Sequence, residues 1–211
     1  MDGLRGRRVG ILGGTFDPVH IGHLVMAAEA RQSLRLDEIV FMPARTPPHK
    51  PDHTPAPVEA RLSMLAGASG SEPCTTISRI DLDRPGPHYT VEMLAIARAA
   101  WRLGAADELW FVMGGDSLED LPGWRRPEEI VRLARLAVID RPGHSSDPAL
   151  LEAVLPGVGD RVDHVVAPLI GVSGTDIRRR VAEGRTIRWH VPPAVESYIL
   201  AHRLYRDGPA A

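Results

Sequence analysis

The chain has 211 residues, of which 44% are hydrophobic, and its formal net charge is -2. That length fits one domain with small appendages, and the charge balance gives no reason to expect nucleic acid or an acidic membrane as a partner. The single cysteine, Cys74, excludes an internal disulfide and a metal site built from several cysteines. No apolar run is long enough to cross a bilayer or to serve as a signal peptide, so we expect a cytoplasmic protein.

The first predicted element is a buried strand at 9–12, where Val9, Ile11 and Leu12 form a short apolar run. Gly13 and Gly14 follow directly. We expect these two glycines to end the strand and to let the backbone turn tightly or come close to a ligand.

A helix is predicted from His20 onward, because Ile21, Leu24, Val25 and Ala28 recur with helical spacing. His20 and His23 are three residues apart and therefore share one face of this helix opening. A helix start offers unpaired N–H groups to an anion, and imidazoles can add donors there, so this stretch indicates a phosphate site. A zinc pair is the weaker alternative, since no glutamate separates the histidines and no third ligand is nearby.

The next segments predict a strand at 39–42, a proline-rich surface loop at 44–57, a helix at 58–68 and a strand at 75–80. The loop contains His49 and Lys50, and Lys50 is the one lysine of the chain. Residues 81–87 indicate a turn-rich crossing. Thr90 is the expected N-cap of a helix that continues to Trp101.

A strongly apolar strand is predicted at 109–113, followed by Asp116, which has capping-box spacing to Glu119. A residue just after a parallel strand also lies where such sheets bind ligands. Trp124 falls in a predicted loop, where its ring is available to stack on another aromatic ring. The other three tryptophans are expected to serve in the core or in packing: Trp101, Trp110 and Trp189.

The last third of the chain predicts strands at 136–139 and 162–166, a short helix at 148–155 and a terminal helix at 192–203. Between them, Ser173 and Asp176 have capping-box spacing, so a second helix should begin there, with Arg178 one turn in and a solvated Arg179–Arg180 pair. Strands that alternate with helices predict an α/β fold with a parallel sheet.

Several short motifs occur together and in a characteristic order: GGTFDPVHIGH at 13–23, PPHK at 47–50, HYT at 88–90, GGDSL at 114–118, RPG at 141–143 and SGTDIR at 173–178. In these motifs the chain resembles the nucleotidyltransferase superfamily of the HxGH type, in its bacterial nicotinate-nucleotide adenylyltransferase form. The resemblance covers roughly residues 8–205. It departs from the family pattern at Gly174, where the family has a second serine.

The resemblance implies a Rossmann-like doubly wound parallel sheet and a single nucleotidyltransferase domain over 1–211, with a small C-terminal helical portion from about 173. It implies adenylyl transfer from ATP to nicotinate mononucleotide, which gives deamido-NAD and pyrophosphate in NAD biosynthesis. Magnesium should be carried by the ATP phosphates, because the sequence offers no dedicated carboxylate cage. The small-molecule substrates are the expected partners, without nucleic acid or membrane; a homo-oligomer stays open.

The resemblance also implies roles for individual residues. Those assigned to catalysis are His20, His23, Lys50 and Arg178. The other residues assigned to ATP are Gly13, Gly14, Thr15, Phe16, Asp116, Arg141, Ser173 and Thr175. Those assigned to the mononucleotide are His49, Lys50, Tyr89, Thr90 and Trp124.

Three alternatives stay open at this stage. A phosphopantetheine adenylyltransferase-like enzyme shares the first motif, but it should lack the Tyr89–Thr90 segment and a stacking tryptophan. A class I aminoacyl-tRNA synthetase fragment shares the HIGH sequence, but this chain has no matching lysine motif and no basic face for tRNA. A non-catalytic nucleotide sensor would need binding without phosphate activation, so both histidines, Lys50 and Arg178 argue against it.

Overall fold

A six-stranded, all-parallel sheet forms the centre of the molecule, with strand order β3-β2-β1-β4-β5-β6. The computed structural model describes residues 5–45, 54–70, 72–140 and 148–206. The strands are β1 (Arg8–Gly14), β2 (Glu38–Pro43), β3 (Thr75–Ile77), β4 (Glu108–Gly114), β5 (Arg135–Asp140) and β6 (Val162–Val166).

Helices lie between the strands and after the last one. They are α1 (Ile21–Ser33), α2 (Val58–Ser69), α3 (Ile80–Asp83), α4 (Thr90–Ala100), α5 (Gly115–Asp120), α6 (Pro127–Leu133), α7 (Pro148–Val154), α8 (Gly174–Ala182) and α9 (Pro193–Ala201). Two short 3-10 turns are present at Leu121–Gly123 and Gly159–Arg161. None of the helices within the described ranges is long and apolar enough to span a bilayer.

The strands alternate their side chains between two apolar layers, as a sheet covered on both faces requires. From β4, Leu109 and Phe111 enter one layer with α4 and α6, whereas Trp110 and Val112 enter the other with α1, α2, α8 and α9. Each face of the sheet is thus covered by helices, which confirms the predicted doubly wound α/β fold.

The C-terminal residues contribute to the same core as the first strand. Ile177 of α8 and Val195 and Ile199 of α9 are fully buried and belong to the apolar cluster that contains Leu12 of β1. The portion from about 173 therefore packs directly on one face of the sheet.

The strand order reverses at the centre of the sheet, between β1 and β4. These two neighbours are followed by connections that run to opposite sides, and such a switch point leaves a crevice at the carboxyl ends of the strands. Gly13 and Gly14 end β1 at this crevice, and Gly114 ends β4 there.

Four local predictions were wrong, each because an element extends differently from its sequence pattern. β3 ends at Ile77 instead of Ile80, since it pairs with β2 over three residues only and the chain then coils into α3. Thr90 is the first helical residue, and Tyr89 is the N-cap. Asp116 lies inside α5, because β4 passes without a loop into a helix whose N-cap is Gly114. Residues 81–87, predicted as turns, include most of α3.

Two further expectations, about Trp189 and about the glycine pair of β1, were also wrong. Trp189 was expected to pack, but it is 80% exposed and has a left-handed backbone conformation (φ 71°) that turns it away from the core. Gly13 and Gly14 were expected to break the strand after Leu12, but they belong to it as its last two residues, and the left-handed turn falls on Phe16 (φ 49°).

Candidate active site

Three adjoining cavities line the crevice at the switch point. The central cavity, of about 280 Å³, lies between the start of α1 and the start of α8. The Trp124 cavity, of about 220 Å³, lies beside the end of β1 and shares Thr15 with the central cavity. The Leu169 cavity, of about 200 Å³, shares His20, His23 and Val172 with the central cavity. The three spaces thus form one continuous crevice.

His20 and His23 form a stacked pair at the opening of α1. Their ring centroids are 3.8 Å apart with 27° between the ring planes, and the backbone N–H of His20 donates to Nδ1 of His23 at 3.3 Å. An Nδ1 that accepts a hydrogen bond leaves the proton on Nε2, so we assign His23 to the tautomer that can donate from Nε2. Nδ1 of His20 is buried and has no hydrogen-bond partner among the described residues.

Both imidazoles are held neutral. Burial lowers the pKa of His20 from its ordinary value near 6.5 to about 4. Burial, together with the neighbouring His20, lowers the pKa of His23 well below its ordinary value. A neutral imidazole still offers one N–H, and an anion brought next to it favours uptake of a second proton.

Arg178 reaches the central cavity from a position one turn into α8. The helix begins after Ser173, whose hydroxyl accepts the backbone N–H of Asp176 at 3.1 Å, so the predicted N-cap is confirmed. Nη1 of Arg178 donates to the backbone carbonyl of Asp17 at 2.6 Å, and Nη2 donates to Oγ1 of Thr175 at 3.3 Å. The guanidinium therefore links the second motif to the first.

Gly174 stands where the two motifs come closest. A Cβ atom at this position would lie 2.8 Å from the carbonyl oxygen of Asp17 and 3.3 Å from Nη1 of Arg178. In this backbone arrangement a serine would displace the contact between Arg178 and Asp17. Where the family has a serine, this chain has no side chain, and the backbones of Asp17 and Gly174 approach closely instead.

The Trp124 cavity has aromatic walls and a helix start at its rim. The rings of Phe111 and Trp124 meet edge to face with centroids 6.2 Å apart, and Tyr89 and Thr90 lie at the start of α4. Gly13 also lines this space, and a Cβ there would press on the Phe111 ring at 3.2 Å. The cavity can therefore accept a flat ring, with backbone N–H groups of a helix opening close by.

Comparison with known proteins identifies the family. A family model described as cytidylyltransferase-like matches residues 11–180. A Thermomicrobium roseum protein named "probable nicotinate-nucleotide adenylyltransferase" is 48% identical over 199 residues, which cover 94% of this chain and 92% of that protein. A Thermus thermophilus protein of the same name is 45% identical over 199 residues, which cover 94% and 100% of the two chains. This chain belongs to the nicotinate-nucleotide adenylyltransferase family.

A solved structure shares the fold of this adenylyltransferase. The structure is "Plasmodium falciparum nicotinic acid mononucleotide adenylyltransferase complexed with NaAD", with a TM-score of 0.76 and 17% sequence identity. The match covers 95% of this chain and 98% of that chain. At this identity the likeness establishes the shared fold.

The structure brings together most of the residues that the family motifs singled out. The wall of the central cavity contains Thr15, Phe16, His20, His23, Ser173, Thr175 and Arg178. The wall of the Trp124 cavity contains Gly13, Gly14, Thr15, Tyr89, Thr90 and Trp124.

One described motif residue, Asp116, stands apart from these walls. Asp116 is exposed in the first turn of α5, and none of the three cavities has it in its described wall. His49, Lys50 and Arg141 lie outside the described residues. Within the described ranges, no group of three or more His, Cys, Asp or Glu side chains could hold a metal ion.

Arg61 is a site residue that sequence reasoning did not identify. It is 1% exposed, and Nη1 donates to the backbone carbonyls of Thr15 at 2.7 Å and Ala44 at 2.8 Å. Nε donates to the carbonyl of Ala56 at 3.0 Å, so one side chain ties the first motif to both ends of the loop 44–57. The sequence did contain a signal for Arg61, because this charged residue lies on the same predicted helix face as the apolar Met64 and Leu65.

Asp17 is the second unpredicted participant, and it is buried at the edge of the central cavity. Oδ1 accepts the hydroxyl of Tyr205 at 2.7 Å and the backbone N–H of Ala56 at 3.2 Å. Oδ2 lies 3.5 Å from Nη1 of Arg178. Burial lowers the pKa of Arg61, and the nearby Asp17 carboxylate opposes that shift.

Proposed function

We propose that this chain transfers the adenylyl group of ATP to nicotinate mononucleotide and releases deamido-NAD and pyrophosphate. One observation carries the proposal: His20 and Arg178, from motifs more than 150 residues apart, line the same cavity. That cavity lies between two others that suit the two ends of a dinucleotide. The family of the curated relatives supports the same reaction.

The central cavity would hold the triphosphate. The positive ends of the α1 and α8 dipoles lie there, and Arg178 contributes a permanent positive charge. Thr15, Ser173 and Thr175 offer hydroxyl or backbone donors on the same wall. Asp116 and Arg141 keep their predicted roles toward ATP, and Lys50 keeps its predicted catalytic role, as part of this proposal.

The Leu169 cavity would hold the adenosine. Its wall joins Gly22 and Met26 of α1 to Ile139 of β5 and to the segment that contains Leu169, so it is mainly apolar and continuous with the histidines. A purine fits such a surface, because its faces need apolar contact and its edge can meet backbone groups.

The Trp124 cavity would hold the nicotinate ring. Trp124 would lie against the pyridine ring, and the opening of α4 at Tyr89 and Thr90 would direct backbone N–H groups at the pyridine carboxylate. A carboxylate gains more from a helix opening than a neutral amide does, so we propose a preference for the acid mononucleotide. His49 and Lys50 would meet its phosphate.

The chemical step would be a direct displacement. The mononucleotide phosphate is already an anion and needs no general base when it attacks the α-phosphorus in line with the leaving pyrophosphate. The protein would align the two anions and neutralise the charge that spreads onto the phosphate oxygens, through His20, His23, Lys50 and Arg178. Because burial keeps the imidazoles neutral without substrate, each would offer one N–H to the charge that develops.

ATP would enter as its magnesium complex, with the ion held by phosphate oxygens and water. Magnesium prefers oxygen ligands and commonly binds through substrate phosphates. We place the reaction in the cytoplasm, where the nucleotide substrates are dissolved.

The reaction is tested by incubating the purified protein with ATP, magnesium and one acceptor at a time. The acceptors are nicotinate mononucleotide, nicotinamide mononucleotide and phosphopantetheine. We expect deamido-NAD and equimolar pyrophosphate with the first, slower turnover with the second and none with the third. ATP binding without product from any acceptor would overturn the proposal in favour of a nucleotide sensor.

A further inference from the structure

A partly buried hydrogen bond joins the first motif to the segment after α9, beside the central cavity. The hydroxyl of Tyr205 donates to Oδ1 of Asp17 at 2.7 Å, across a sequence separation of 188 residues. Tyr205 follows α9 and packs against the apolar cluster that also contains Phe16. No motif identified in the sequence includes Tyr205.

The tyrosine can act here only as a donor. Burial, together with the neighbouring Asp17 carboxylate, raises the pKa of Tyr205, so its hydroxyl stays protonated over the whole physiological range. The same Oδ1 receives the backbone N–H of Ala56, and these two donors fix the plane of the carboxylate.

The fixed carboxylate and the carbonyl of the same residue meet Arg178. Nη1 lies 2.6 Å from the carbonyl oxygen of Asp17 and 3.5 Å from Oδ2. A guanidinium is planar and presents its donors in a rigid fork. Once Nη1 is bound to Asp17, the direction of the remaining N–H groups toward the central cavity is set.

We propose that Tyr205 is a positioning residue for nucleotide binding, which acts through Asp17 on the guanidinium of Arg178. The proposal rests on the proposed function of the central cavity as the triphosphate site. It assigns to the C-terminal segment a part in binding ATP, although Tyr205 itself is not in the cavity wall.

The test is a double-mutant cycle on the dissociation constant of ATP, measured by calorimetry with magnesium and without acceptor. The four proteins are the wild type, Tyr205→Phe, Arg178→Ala and the double variant. We expect Tyr205→Phe to weaken ATP binding about fivefold in the wild type and to have no further effect when Arg178 is absent, because coupled residues are not additive.

Tyr198→Phe is the matched control, since Tyr198 stacks on His202 with centroids 4.1 Å apart and lines none of the three cavities. It should leave the dissociation constant unchanged.

Melting curves verify that each variant is folded. If Tyr205→Phe lowers the melting temperature substantially, Asp17→Asn replaces it in the cycle with the same expectation. If Arg178→Ala binds too weakly to measure, Arg178→Lys replaces it, because lysine lacks the fork.

Two results would overturn the positioning role. An equal loss in both Arg178 backgrounds would mean that Tyr205 supports the fold in general. No loss in the wild type would mean that Asp17 orients Arg178 without help. Failure of the proposed function appears separately, as an intact cycle for ATP binding in a protein that forms no deamido-NAD.

Discussion

Burial determines what the two histidines can do before substrate arrives. Both are shielded enough to stay neutral at pH 7, and Nδ1 of His20 lacks a partner within the described part of the chain. A buried polar atom without a partner is costly to the folded state, and such atoms concentrate at functional sites. The free protein therefore carries the cost of an unpaired buried nitrogen beside the proposed phosphate site.

His20→Ala and His23→Ala should each reduce kcat/KM by about 100-fold to 1000-fold, because each removes a donor aimed at developing charge. The unfolding free energy should change by about 1 kcal/mol or less for His20→Ala, since the lost packing is offset by removal of an unsatisfied atom. Steady-state kinetics and urea unfolding measure the two effects. His202→Ala, on the exposed end of α9, is the control, and near-normal turnover in both site variants would contradict the assigned roles.

The depressed pKa of His20 also predicts a pH dependence of stability. The unfolded chain takes up a proton near pH 6.5 and the folded protein only near pH 4, so the unfolded state binds more protons between these values. Stability should therefore fall as the pH is lowered through this window. From about pH 7.5 to about pH 5, wild type should lose about 2 kcal/mol more unfolding free energy than His20→Asn.

Urea unfolding at several pH values measures this difference, and comparison of the two proteins cancels the carboxylates that they share. Parallel pH profiles for wild type and His20→Asn would show that His20 titrates normally and is not shielded.

At the scale of the element, α2 supports the site through a single buried charge. Arg61 enters the core from the start of this helix and binds carbonyls on both sides of the loop 44–57. A buried guanidinium is stable only when most of its donors are used, and the carbonyls would be left unpaired without it.

Arg61→Met should lower the unfolding free energy by about 3–5 kcal/mol, which is the cost of breaking a buried charged network. Arg79→Met is the matched control, because Arg79 is an exposed arginine whose ion pairs with Glu59 and Asp83 are screened by water and should contribute little. Urea unfolding compares the two variants. Equal, small losses would contradict the role of Arg61.

The 3-10 turn at Leu121–Gly123 carries Trp124 to the edge of its cavity, where the ring meets Phe111. Trp124→Ala should raise KM for nicotinate mononucleotide about tenfold and leave KM for ATP unchanged, because a stacking surface for one substrate is lost. Trp189→Ala removes an 80% exposed ring and should alter neither constant. Equal increases in both KM values would place Trp124 outside a dedicated mononucleotide site.

Much of the element pattern could be predicted from the sequence, because the strands are continuous apolar runs and the glycine and proline positions separate them. The ends of elements were harder. The capping pattern at Asp116 did not form the N-terminus of a helix, because β4 passes straight into α5. Ile80 is apolar, but it belongs to the short helix α3 and not to the edge strand β3. Where an element ends depends on which other segment hydrogen-bonds to its backbone, and the local sequence does not show that.

The site was predictable where it is made of short motifs and hidden where it depends on distant contacts. His20, His23 and Arg178 could be identified because each belongs to a recognisable segment. The contacts of Arg61 with the carbonyls of Thr15 and Ala44 form only after folding, and so does the bond between Asp17 and Tyr205, which crosses 188 positions. No spacing rule along the chain expresses such a contact.

At the scale of the whole molecule, topology explains why the two motifs meet in one crevice. The order β3-β2-β1-β4-β5-β6 opens a crevice between β1 and β4, and the first motif leaves β1 at that point. The C-terminal helices pack on the same face as α1 and α2, which brings the second motif opposite the first. Three adjoining cavities result, and the proposed function assigns them to adenosine, phosphates and a flat acceptor ring in that order.

The central claim is that both anions meet in this crevice and react directly. The most direct test uses ATP with a chiral thiophosphate at the α-position and determines the configuration of the adenylyl phosphorus in the deamido-NAD product. In-line attack by the mononucleotide predicts inversion at phosphorus. Retention would contradict the account, because it requires two successive displacements through a group on the protein.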